Sequence, residues 1–120
     1  MKKLTAREEE VMQVLWALER AFVKDIIEQL PEPRPHYNTV STIVRLLEER
    51  GFVAHKAYGN AHQYFPVVTK REYTRHFMGD VLANYFDNSL KRMVAFFAEE
   101  EKLSEEELQE IINLIEKKGE

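Results

Sequence analysis

Apolar residues fall into repeating stripes over most of the chain, and the period of each stripe predicts an element. Near the start, Val11, Leu15 and Leu18 recur at helical spacing, flanked by Val14 and Trp16. Thr5 followed by Glu8 forms a capping-box pair, because each side chain can satisfy a backbone donor that the first turn leaves free. A first helix is expected from Ala6 to Glu19. Ala21 to Val23 reads as a short extended piece. Lys24 to Leu30 reads as a second, short helix stopped by Pro31. Pro31, Pro33 and Pro35 then hold a loop, since proline lacks the amide donor and biases its predecessor away from helix. A third helix is expected from Tyr37 to Arg50. Val40, Ile43, Val44 and Leu47 form its buried stripe, and Gly51 sits where a left-handed end residue is needed.

After Gly51 the pattern changes. Two runs rich in β-prone residues flank Gly59-Asn60, the signal of a two-residue hairpin. Pairing Tyr58 with Ala61 sets Lys56 against Gln63 and Ala54 against Phe65, and leaves Pro66 at a strand end. The remaining third is helical again, with further capping pairs at Thr69/Glu72 and Ser104/Glu107. Its apolar positions are Phe77, Val81, Leu82, Tyr85 and Phe86, then Leu90, Met93 and Phe97, then Leu108, Ile111, Ile112 and Ile115. The predicted fold is mostly α with a small β hairpin: an N-terminal winged helix-turn-helix over residues 1–68, followed by a C-terminal helical dimerisation region over 69–120. A short chain buries a modest share of its surface, so the C-terminal apolar faces are expected to meet a second copy across a two-fold axis.

The polar side of the third helix carries the chemistry. Asn38, Ser41, Thr42 and Arg45 lie together opposite the apolar stripe. Short or forked hydrogen-bonding groups of this kind suit base edges: Asn pairs with adenine, Arg with guanine, and Ser or Thr with either. The same residues are also ordinary helix-start residues, and a protein-interaction winged helix that never meets DNA is the reading from a different class. At the hairpin, Lys56, Tyr58, Asn60, His62 and Gln63 could meet a phosphate backbone or the minor groove. Arg50, Lys2 and Lys3 are further phosphate candidates, and Tyr37 opens the helix on the same side.

Charge and composition sharpen this picture. The chain has 120 residues and a net charge of −4. Arg34 to His76 holds seven Lys or Arg against three acids, whereas Phe77 onward holds five against eleven. A basic middle can bind phosphates despite an acidic tail, because screening confines charge effects to about 8 Å at physiological salt. There is no cysteine, which removes disulfides, zinc-thiolate sites and cysteine nucleophiles. His55 and His62 share a hairpin face but lack the three or four ligands of a zinc site, so no metal is expected. No serine stands in a nucleophile-elbow context and the four glycines are isolated, which gives no enzyme reading and no cofactor. The opening "MKKLTAREEE" turns acidic too early for a secretory signal, and no apolar run is long enough to span a bilayer, so a cytoplasmic protein is expected.

"LTAREEEVMQVLW", "YNTVSTIVRLLEERGFV", "NAHQYFPVV" and "SLKRMVAFFAEEEKLSEEELQEI" resemble the penicillinase, methicillin-resistance and copper-responsive repressors (BlaI/MecI/CopY type), over nearly the whole chain. The resemblance implies a cytoplasmic homodimeric repressor on palindromic double-stranded operator DNA, with Asn38, Thr39, Ser41, Thr42 and Arg45 facing the major groove. In β-lactam-responsive members a membrane sensor metalloprotease triggers cleavage of the C-terminal region, commonly at an Asn-Phe bond. The aligned pair here is Phe96-Phe97. Copper-responsive members use tail cysteines, which this chain lacks. A winged-helix regulator released by a small ligand at the dimer interface is the alternative mode of control.

Overall fold

The computed structural model describes residues 1–101 and 103–118, without the side chains at 115, 116 and 118. The elements run α1 (Ala6–Leu18), α2 (Val23–Gln29), α3 (Tyr37–Glu49), β1 (Val53–Tyr58), β2 (Ala61–Pro66), α4 (Lys70–Phe86), α5 (Leu90–Glu100) and α6 (Glu105–Lys118). This is the expected order of a winged helix-turn-helix followed by helices. The chain divides into two compact units, Met1–Phe77 and Met78–Glu120.

Local chemistry explains the element starts. At α1 the Thr5 hydroxyl accepts from the Glu8 amide (3.2 Å) and the Glu8 carboxylate accepts from the Thr5 amide (2.9 Å), which completes the box. At α4 and α6 only half of it forms as expected. The Thr69 and Ser104 hydroxyls accept from the Glu72 and Glu107 amides, but the carboxylates take the hydroxyl protons rather than a backbone amide. The short α2 starts with the Asp25 carboxylate accepting from the Phe22 amide at 3.0 Å. Gly51 takes φ 81 just after α3, a conformation that costs glycine little.

The hairpin has the expected register, with Tyr58 opposite Ala61, Lys56 opposite Gln63 and Ala54 opposite Phe65. Gly59, first of the two turn residues, sits at φ 62, as two-residue hairpins with a leading glycine require. The extended piece before α2 joins this sheet: Ala21 and Tyr64 exchange both backbone hydrogen bonds, at 2.8 and 2.9 Å.

The core of the first unit gathers Val11, Met12 and Leu15 of α1, Ile26 of α2, and Val40, Val44 and Leu47 of α3, none of them accessible to solvent. Leu18, expected in the α1 stripe, is 39% exposed, and Met12 fills that role instead. The unit extends past the boundary expected at Val68. Tyr73 is buried, stacks on Phe77 (6.2 Å) and accepts a hydrogen bond from the Leu4 amide at its hydroxyl (3.1 Å). Trp16 donates from its indole to the Val68 carbonyl at 3.0 Å.

In the second unit, α4 ends at Asp87 and Asn88, both at positive φ, and the Ser89 hydroxyl caps α5 by accepting from the Arg92 amide. Phe86 and Phe96 approach at 5.6 Å. No described residue of this unit is buried.

Candidate nucleic-acid interface

A helix presents one side to the core and the other to whatever lies outside, and α3 divides sharply. Val40, Val44 and Leu47 are fully buried. Asn38, Thr39, Thr42 and Arg45 are exposed, Ser41 is half-buried, and the Tyr37 ring is 58% exposed at the helix start. The helix supplies the ridge with internal contacts only. The Thr42 hydroxyl donates to the Asn38 carbonyl at 2.9 Å. Arg45 lies back on its own helix, with 3.4 Å contacts to the Ser41 carbonyl and the Thr42 hydroxyl. Contacts that long are weak, so the guanidinium can swing outward at little cost. From Asn38 to Arg45 there is no acidic residue.

The wing stands beside this ridge. Tyr58 and Asn60 are exposed near its tip, and Lys56 lies with its ammonium 5.4 Å from the Tyr58 ring. Between the start of α2, α3 and β2 runs an open groove of about 610 Å³, lined among others by Phe22, Lys24, Tyr37, Ser41, Arg45, Asn60 and His62. Two of these lining side chains were not foreseen: Phe22 and Lys24 have no pattern of their own in sequence, and only the Ala21–Tyr64 pairing brings their segment against the hairpin.

The wing is tied to α3 through histidine. His55 Nδ1 lies 2.7 and 2.9 Å from the two Glu48 carboxylate oxygens. Its ring stacks on His62 at 4.1 Å with planes 10° apart, which realises the shared hairpin face. Among the described residues no three His, Asp or Glu side chains converge as metal ligands. Burial, and next the Glu48 carboxylate nearby, push the Tyr64 phenol above its ordinary value.

Two expected residues are placed differently. Arg50 is engaged within its own unit. Its guanidinium donates to the Glu8 carboxylate at 2.7 Å and to the Lys2 and Lys3 carbonyls at 3.2 and 3.4 Å, and it lies 5.1 Å from the Phe52 ring. It joins the end of α3 to the start of α1. Burial opposes ionisation of Glu8, but hydrogen bonds from Thr5 and the Arg50 guanidinium outweigh it and hold the carboxyl below its ordinary value. Phe77, expected on the dimerisation side, packs on the first unit's core, with the Lys3 ammonium 5.1 Å from its ring.

The other expected self-association residues lie in the second unit. Tyr85 is 77% exposed, and Leu90, Phe97 and Ile112 are also exposed. Val81, Leu82, Phe86, Met93, Leu108 and Ile111 are half-buried, while the Ile115 side chain lies outside the described residues. Leu114, not foreseen, is 69% exposed. Phe96 and Phe97 stand in the interior of α5, with rings 5.6 Å apart.

The sequence matches the family model described as "Penicillinase repressor" over residues 4–117. It is 26% identical over 117 residues to the methicillin resistance regulatory protein MecI of Mammaliicoccus sciuri, covering 97% of this chain and 95% of that protein. It is 27% identical over 120 residues to the penicillinase repressor of Bacillus licheniformis, covering 97% and 94%. Among solved structures, a CopR repressor aligns at 28% identity with a TM-score of 0.47, covering 55% of this chain and 97% of that one.

Proposed function

The chain belongs to the penicillinase repressor family, whose members are DNA-binding transcriptional repressors rather than enzymes, and from that premise we propose that two copies act together on a palindromic operator in the cytoplasm. Asn38, Thr39, Ser41, Thr42 and Arg45 enter the major groove, with Tyr37 at the entry of the helix. Arg45 and Asn38 read bases. Lys2, Lys56, Tyr58 and Asn60 lie against the sugar-phosphate strands and set the register without specifying sequence.

The observation that carries this reading is the division of α3: an acid-free ridge of exposed Asn38, Thr42 and Arg45 with half-buried Ser41, backed by a fully buried Val40/Val44/Leu47 stripe. The buried side fixes the helix, and the short side chains leave little distance between backbone and bases. A deciding experiment is fluorescence anisotropy of the full chain on the duplex upstream of its own gene, against a shuffled duplex at physiological salt. A preference of about a thousandfold or more is expected. Equal affinity for both would overturn the reading.

Self-association is supported by the second unit. A helical unit in which no described residue is buried lacks a core of its own, and small units of this kind need a partner to be stable. Two chains joined through α4, α5 and α6 would place their α3 helices about 34 Å apart along the duplex, or a multiple of that. Release by proteolysis in the C-terminal helices, triggered by a membrane sensor metalloprotease, would then act by effective concentration: each separated first unit would hold only one half-site. The Phe96-Phe97 bond lies inside α5, so cutting it requires that turn to unwind first.

A further inference from the structure

The groove between α2, α3 and the wing has features that contact with DNA does not require. Its volume of about 610 Å³ lies within the roughly 300–1,000 Å³ of small-molecule sites. Its walls are aromatic: the Phe22, Tyr37 and His62 rings line it together with Tyr64. Those walls are also braced. Phe22 meets Tyr58 edge-on at 6.0 Å, and His62 stacks on His55, which Glu48 holds in turn. A site whose walls are already positioned loses little on binding.

The charge is one-sided. Lys24 and Arg45 both line the groove, no Asp or Glu does, and neither cation has a carboxylate partner among the described residues. Ser41 and Asn60 add neutral hydrogen-bonding groups. Aromatic faces for a flat ring, two uncompensated cations for a negative group and two polar side chains for orientation make a matched set. A phosphodiester strand would use the cations and Tyr37 and give the Phe22 and Tyr64 rings no role.

We propose that this groove binds a small planar aromatic anion, and that its occupant excludes DNA. Binding needs no assumption about function. Exclusion rests on the repressor reading, because Tyr37, Ser41 and Arg45 belong to both surfaces. The site is distinct from the C-terminal helices, so it would give the chain a route to release that leaves the polypeptide intact.

The test uses the full, DNA-free chain with 2-naphthoate as probe, followed by titration calorimetry and by amide NMR shifts. Saturable binding is expected, with shifts concentrated at Phe22, Ser41, Asn60 and His62. The neutral 2-naphthamide, and naphthoate on the Lys24→Gln/Arg45→Gln variant, should each bind about tenfold or more weaker. Both substituted residues are exposed, and an unchanged urea midpoint verifies the fold. No saturation, shifts located elsewhere, or equal response to acetate would overturn the site. Naphthoate is then added to the chain bound to its upstream duplex. Displacement supports exclusion, and a stable ternary complex overturns it. A chain that binds naphthoate but no duplex would sink the repressor reading and the exclusion with it, while the site itself would stand.

Discussion

Replacing Arg50 by alanine separates a residue that holds the fold from one that holds DNA. The side chain makes a 2.7 Å ion pair with Glu8, two bonds to backbone carbonyls and a 5.1 Å approach to the Phe52 ring. A charged hydrogen bond contributes about 1.5–3 kcal/mol, and a surface cation–π contact about 0.5–1 kcal/mol. The Arg50 and Glu8 side chains retain 26% and 12% of their exposure, so the loss stays below the roughly 3–5 kcal/mol of breaking a fully buried pair. Arg50→Ala should therefore cost about 2–3 kcal/mol, equivalent to a fall in Tm of about 10 °C or more for a unit of this size. Trp16, the single tryptophan, lies in the first unit against Tyr73 at 5.8 Å, so its fluorescence in urea reports that unit. Glu8→Ala and the double variant complete a cycle, with an expected coupling of about 1–2 kcal/mol. The pH dependence has a definite sign. Glu8 is held below its ordinary value of 4.5 in the folded chain, so its contribution is full above that value and is lost as pH falls through the folded one. The coupling should shrink accordingly in acid. Additive single variants, or an Arg50→Ala chain of unchanged stability that binds every duplex more weakly, would refute the assignment and return Arg50 to the phosphate contacts.

Arg45→Ala should cost about 1–3 kcal/mol on the preferred duplex and relax the preference at one base pair; a uniform loss on all sequences would make Arg45 a phosphate contact instead. Phe86→Asp should give monomers in sedimentation equilibrium and much weaker operator binding, with the Trp16 unfolding curve unchanged; an intact dimer would remove Phe86 from the interface. Gly51→Ala, at φ 81 with open space around the added carbon, should destabilise the first unit by about 1 kcal/mol through backbone strain alone, and a neutral result in urea would contradict that conformation.

Local rules were enough for much of this fold. The capping box at Thr5, the glycine after α3 and the Gly59 hairpin with its full register follow from residues adjacent in sequence. Short-range chemistry decides them. The α3 ridge was legible for the same reason, since a helix period assigns Asn38 and Arg45 to one side and Val40 and Val44 to the other. The features that escaped depend on distant partners. Arg50 reads as a free cation until the start of α1 arrives beside it, a separation of 42 positions in the chain. Phe77 belongs to an amphipathic stripe that runs on along α4, and nothing in that stripe marks where its core contacts stop. The groove could not be seen at all, because it is built from three segments whose meeting depends on the Ala21–Tyr64 bridge.

The net charge of −4 suits a DNA-binding chain poorly until the fold sorts the charges. Salt dependence counts the cations that neutralise phosphates, not the charge of the whole molecule. Arg50 is taken up by Glu8, and the Lys3 ammonium lies over Phe77. With Arg45 assigned to bases, Lys2, Lys56 and Lys24 of the groove wall are taken as the phosphate contacts, three in each copy. Two copies then neutralise six, and log K should fall against log salt with a slope of about −5. A slope near −10 would mean that Arg50 and other residues assigned here to the fold do face the duplex. A slope near zero would mean that no phosphate is held, and that the α3 ridge meets something other than DNA. Lys24→Gln in both copies should make the slope shallower by about 2, which ties the groove directly to the strand it is proposed to exclude.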